Sequence, residues 1–126
     1  MGLSLYFDAG ATQLISAANP DTATILIPEP GQNGSDERQI WMASDDTDLT
    51  YSDIVIQSVG ENTTVVVDYA ADVAGSPGSY SSTMEPTDGD YETAMPLWRR
   101  IRVFNVTAAF IWDAARHRIT ADEEVA

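Results

Sequence analysis

The sequence predicts an all-β chain, folded as a single β-sandwich or barrel-like domain with long polar loops. Three observations carry that expectation. Short runs rich in β-branched and aromatic residues recur about every ten residues, each bounded by Gly, Pro, Asn or Asp. No window repeats its apolar residues at the period of an amphipathic helix. In the last third, Leu97, Arg99, Ile101 and Val103 alternate with Trp98, Arg100, Arg102 and Phe104, the two-residue period of a strand. With 126 residues the chain is one domain's worth. It is expected as a single β domain over 1–121, with 122–126 a frayed acidic tail.

The elements follow in order. Leu3-Ser4-Leu5-Tyr6-Phe7 reads as a first strand, ended by the turn signal Asp8-Ala9-Gly10. Residues 11–22 are weakly patterned and close on Asn19-Pro20-Asp21. Thr24-Ile25-Leu26-Ile27 is a β-branched run stopped by Pro28, and 28–35 is a loop containing two Pro and two Gly. The first 35 residues fit either part of the core or an extending arm. Arg38 to Ala43 is a third strand, ended by the Asp45, Asp46 and Asp48 cluster. The runs 54–59 and 63–69 flank Gly60-Glu61-Asn62 and are expected to pair as a hairpin. Residues 72–92 are rich in Gly, Ser, Pro and Asp, longer than a usual loop, and read as a binding loop or a segment ordered by a neighbour. After Pro96 comes the alternating strand. Residues 110–112 and 116–120 are one or two further strands, or a short helix through Asp113-Ala114-Ala115-Arg116. The bulky core candidates are Trp41, Trp98, Trp112 and Phe104.

Charge narrows the function classes. Twenty Asp and Glu stand against six basic residues, all of them Arg, for a net charge of −14. Such a field repels a polyanion, which argues against nucleic-acid binding by phosphate neutralisation. Acidity without any Lys fits adaptation to molar salt, where a Debye length of about 3 Å removes most of the self-repulsion. No apolar run reaches the length of a membrane helix, no signal peptide is visible at the N-terminus, and there is no Cys for a disulfide or a thiolate ligand.

No constellation of a familiar enzyme stands out, and the chain is expected to be non-enzymatic and without a cofactor. The single histidine, His117, lies between Arg116 and Arg118, a basic neighbourhood that reads as an exposed or structural site rather than a general base. One His and no Cys leave no zinc set. Asp45, Asp46 and Asp48 in one turn, with Asp88 and Asp90 in another, are hard oxygen donors suited to calcium, though neither turn matches a twelve-residue calcium loop. Asn33, Asn62 and Asn105 open N-x-S/T sequons, read as silent without a leader. The Arg residues are unevenly placed. Arg99, Arg100, Arg102, Arg116 and Arg118 fall within 20 residues, and would make one basic docking spot if strand 97–104 lay beside 116–120. The competing reading pairs them with the domain's own carboxylates.

The Arg38-Gln39-Ile40-Trp41 strand, the stretch Tyr51-Ser52-Asp53-Ile54-Val55-Ile56, a Pro/Gly loop and the strand from Pro96 to Val103 follow one another in that order. Over residues 38–106 the succession resembles small β-sandwich virion proteins of tailed viruses. In that family a Pro/Gly turn and one more regular strand follow, whereas here Asn105-Val106-Thr107-Ala108-Ala109 takes the turn's place. With the halophilic composition, the resemblance implies a haloarchaeal virus and a capsid decoration or cement subunit, located in the virion. Its partners would be other virion proteins and further copies of itself, with no nucleic acid or membrane. A tail or baseplate component is the alternative within that class. A soluble halophilic calcium- or carbohydrate-binding module is the alternative outside it.

Overall fold

The computed structural model describes residues 2–16, 18–25, 32–59, 65–106 and 110–125, with side chains at all of these except 24, 25, 32, 105, 106 and 110–115. The described chain is all-β: two antiparallel sheets packed as an open sandwich, not a closed barrel. The strands are β1 (Leu3–Tyr6), β2 (Asp21–Ile25), β3 (Gln32–Ser44), β4 (Leu49–Val59), β5 (Val65–Val73), β6 (Ser76–Pro77), β7 (Thr83–Met84), β8 (Met95–Val106) and β9 (Phe110–Val125). One sheet has the order β1-β3-β8-β5-β6 and the other β2-β9-β4-β7.

Alternation decides what each strand gives to the core. β8 turns Leu97, Arg99, Ile101 and Val103 inward, where all four are fully buried. They meet Ile40 and Met42 of β3, Val65, Val67 and Tyr69 of β5, and Tyr51, Ile54 and Ile56 of β4. Each buried aliphatic side chain contributes about 1.5–3 kcal/mol of transfer free energy. β4 keeps both Tyr51 and Ile54 inward only because a bulge lies between Ser52 and Val55, with Asp53 in the left-handed region at φ 50°.

The bulky core candidates are corrected by the same parity. Trp98 and Phe104 belong to the outward set of β8 and are half-buried, as is Trp41 beside the inward Ile40 and Met42. An indole N–H needs an acceptor when covered, and Trp98 finds one in Asp72 on the outer side, at 2.9 Å. The side chain of Trp112 lies outside those described.

The expected hairpin between 54–59 and 63–69 does not form. β4 pairs with β9 from Leu49↔Val125 to Val59↔Arg116, while β5 pairs with β8 from Val65↔Val103 to Ala71↔Leu97. The two runs sit in opposite sheets and face each other across the core; their connection at 60–64 lies outside the described residues. A short turn between two apolar strands specifies proximity, and here the longer partners β9 and β8 take the edges.

β9 is one long strand, not two, and not a helix. Its first part pairs with β2 on one side and its second part with β4 on the other. Residues 122–125, expected to fray, continue this ladder in register with 49–52. Of the segment 28–35 expected as a loop, Gln32 to Ser35 belong instead to β3, opposite β8. Residues 28–31 lie outside those described. The N-terminal segment joins the core and is not an arm. Leu3, Leu5, Asp21 and Ala23 are buried, and residues 7–15 fold back on β1 through Phe7 N–H to Gln13 O (2.9 Å) and Ile15 N–H to Leu5 O (3.0 Å).

The long segment 72–92 is ordered by the sandwich itself. Ala74 (φ 52°) and Gly75 (φ 88°) form the two-residue turn between β5 and β6, the double left-handed geometry suited to a tight hairpin. The chain then pairs Ser81 with Tyr69 in one sheet and β7 with Ile56 and Gln57 in the other. Gly89 finally pairs with Tyr51. This strap laces the β5 edge to the β4 edge and covers both.

Candidate functional site

The inward register of β8 places an arginine in the core. Arg99 is fully buried, and a guanidinium there requires carboxylates around it. Asp21, at the start of β2 and equally buried, accepts from Arg99 Nε at 2.8 Å and from Nη2 at 2.7 Å, a bidentate pair. Asp36 of β3 accepts from Nη1 through its carboxylate at 2.6 Å and through its backbone carbonyl at 3.0 Å. His117 of β9 points inward between its two exposed neighbours and lies 2.7 Å from Asp21 through Nε2. Its Nδ1 meets the Tyr69 hydroxyl of β5 at 2.6 Å, with the two rings edge to face.

The result is a continuous chain, Tyr69–His117–Asp21–Arg99–Asp36, that crosses the interior and ties five strands of both sheets together. Burial pushes the Asp21 carboxyl up, but hydrogen bonds from His117 and Arg99 and the Arg99 charge outweigh it and hold the group at about 2. An ionised Asp21 can only accept, so the proton between it and His117 resides on Nε2. For Arg99, burial disfavours the charge, and Asp21 followed by Asp36 more than restores it.

A tyrosine–histidine–aspartate relay contains the parts of a general-base system. Here it is sealed: the His117 side chain is 2 % exposed, and Asp21 and Arg99 are closed to solvent. Two open hollows among the described residues, of about 280 and 230 Å³, lie away from it. They meet at Asp88, beside Tyr51 and Glu124 on one side and beside Asp53 and Glu85 on the other. The relay ties β5, β8 and β3 of one sheet to β2 and β9 of the other.

The five clustered arginines do not form one basic spot. Arg99 is interior. Arg100 and Arg102 leave β8 on the outer face of the five-stranded sheet, while Arg116 and Arg118, flanking the inward His117, are exposed on the other sheet. Strand alternation separates Arg99 from its neighbours, and the sandwich puts β8 and β9 in different layers. On the outer face Asp68 Oδ2 receives Arg100 Nη2 at 3.0 Å and Arg102 Nη2 at 2.8 Å. Arg100 stacks on Tyr80 and Arg102 lies near Phe104, at 4.1 and 5.4 Å from the ring centres. Burial raises the Tyr80 pKa, as does its hydrogen bond to Glu37, at 2.6 Å.

The Asp turns come to one end of the sandwich, where Ser44 N–H bonds Tyr91 O at 2.9 Å. Their carboxylates are partly engaged locally: Asp46 accepts the Asp48 N–H at 2.9 Å, and Asp90 the Glu92 N–H at 3.1 Å. Among the described residues, no three acidic or histidine side chains, Asp45, Asp46, Asp48, Asp88 and Asp90 included, come together as a metal set.

Sequence reasoning did not find Asp21, Asp36 and Tyr69. The signal available was Arg99 itself, in register with Leu97 and Ile101, a position that demands an interior carboxylate. No protein-family model matches the chain, and neither a curated protein nor a solved structure shows a significant match to it.

Proposed function

We propose that the chain is a non-enzymatic structural subunit of a virion, a capsid decoration or cement protein of a haloarchaeal tailed virus. The observation that carries this reading is the division of labour along β8. Arg99 locks the interior, and Arg100 and Arg102 present cationic forks on the outer face of a rigid sheet. A sealed interior relay, a strap that covers two sheet edges and a polar, aromatic outer face suit a part that binds a larger assembly. The −14 charge suits a particle stable in molar salt. Subunits of this kind work by adding interface area to a shell, and closed rings of copies would multiply each weak contact.

The test is protein mass spectrometry of gradient-purified virions from the host culture. The reading expects this chain at a fixed copy ratio to the shell protein. Its absence from particles, with the protein present in the infected cells, would overturn the assignment. Immunogold labelling separates a head location from a tail or baseplate one.

A further inference from the structure

We infer that Arg100 and Arg102 form a receptor for carboxylates, and that its occupant is an acidic segment of another protein laid across the outer face of the five-stranded sheet. The inference deepens the docking role proposed above and rests on it for the partner's identity, though not for the chemistry. The two side chains are two residues apart on one strand, so their stems leave the same face about 7 Å apart. They converge, because one oxygen of Asp68 receives an Nη2 from each. A guanidinium carries five N–H donors, and this shared carboxylate engages only a small part of the ten. The Nε atoms of both are buried and, among the described residues, meet no acceptor.

The forks are also held in place before any partner arrives. The Tyr80 ring supports the plane of Arg100, Phe104 flanks Arg102, and the two side chains are only 29 % and 36 % exposed. Preorganisation of this sort lowers the ordering cost of binding. Arg100 and Arg102 share the single carboxylate of Asp68, so the three side chains carry one positive charge in excess. Glu37 lies across from Arg100, on the side away from Arg102, while the residues across from Arg102 on β3 and β5 are Ser35 and Val66, both uncharged. A strand-like segment with acidic residues at alternate positions matches this spacing, placing one carboxylate over each fork. Short charge-assisted bonds between fork and carboxylate survive molar salt better than long-range attraction. Nucleic acid fits worse, since two forks neutralise little of a polyanion that the −14 body repels.

The experiment follows the arginine side-chain Nε–H signals by ¹⁵N-edited NMR, with the full chain in low and in molar KCl. The probe is a capped peptide of alternating Glu and Thr, with its Gln/Thr counterpart as control. Saturable shifts of the Arg100 and Arg102 signals are expected with the Glu peptide alone, while the buried Arg99 signal stays fixed and reports the fold. In Arg102→Gln the response should fall at least tenfold in affinity, with Arg99 unchanged. Equal shifts at Arg116 and Arg118, or none at millimolar peptide, would overturn the receptor. Shifts that grow with protein concentration before peptide is added would assign the face to a second copy and overturn the acidic-segment occupant. Peptide binding by a chain that is absent from virions would leave the receptor standing and remove the virion role; particle binding unaffected by Arg102→Gln would do the reverse.

Discussion

Replacing Asp21 by Asn should be among the most damaging single changes in this domain. Asp21 is closed to solvent, accepts two bonds from Arg99 and one from His117, and joins β2 to both β8 and β9. Asparagine keeps the volume but removes the charge, leaving a guanidinium in the core with Asp36 as its one carboxylate. Asp36 is itself 36 % exposed, which weakens its compensation. Breaking a buried pair from one side costs about 3–5 kcal/mol. A separate route gives a similar scale: holding the carboxyl at about 2 instead of 3.8 is worth roughly 2–3 kcal/mol, at about 1.4 kcal/mol per tenfold change in affinity for the proton. Against a domain stability of about 5–15 kcal/mol, that is a large fraction. The assay is urea denaturation in molar KCl, followed by tryptophan fluorescence, for Asp21→Asn, Arg99→Met and the double variant. Both singles should lose about 3 kcal/mol or more, and the double should lose clearly less than their sum, because the second change removes the stranded charge left by the first. A loss below about 1 kcal/mol for Asp21→Asn, or strict additivity in the double, would refute the relay as an inter-sheet clamp.

Further expectations follow from the same geometry. The stabilisation from Asp21 should be complete above about pH 4 and disappear as pH falls through about 2, since its folded value lies below the ordinary 3.8; acid titrations of wild type and Asp21→Asn should converge at the low end. Tyr69→Phe removes one hydrogen bond to His117 at constant volume and should cost about 1 kcal/mol in the same urea assay, well short of Asp21→Asn. Ala74 holds a left-handed φ of 52° without the freedom of glycine, so Ala74→Gly should raise the melting temperature by a degree or more, whereas Gly75→Ala should lower it. Thermal melts should also rise from low to molar KCl, because −14 of self-repulsion is screened; a flat series would remove the halophilic reading.

Much of the fold was legible because strand alternation is a local property. The alternation of Leu97, Arg99, Ile101 and Val103 with Trp98, Arg100, Arg102 and Phe104 marked β8 as a strand with two distinct faces, though not which of them turns inward, and the β-branched runs located most strands to within a few residues. What failed was pairing. The run from Val65 sits next in sequence to the run ending at Val59, yet their partners are β8 and β9, with paired residues some 25 to 75 positions apart. Such non-local choices depend on total edge length and core closure, which no short window contains. Side-chain bulk misled in the same way: Trp98 and Phe104 were assigned inward by size, when their register with Arg100 and Arg102 placed them outward. The candidate site was legible in part. The arginine cluster was visible, but its division into an interior lock and two outer groups on different sheets required the layers to be known. Asp21 was one of twenty acidic residues and had no distinguishing neighbour in sequence.

The most direct test of the central claim is co-sedimentation of the purified chain with virions stripped of it, in molar KCl, comparing wild type with the Arg100→Gln/Arg102→Gln variant after both show the same urea midpoint. The proposed role requires saturable rebinding by wild type and its loss in the variant. Failure of wild type to rebind would contradict the decoration role. Equal rebinding by the two proteins would contradict docking through the outer face of the five-stranded sheet.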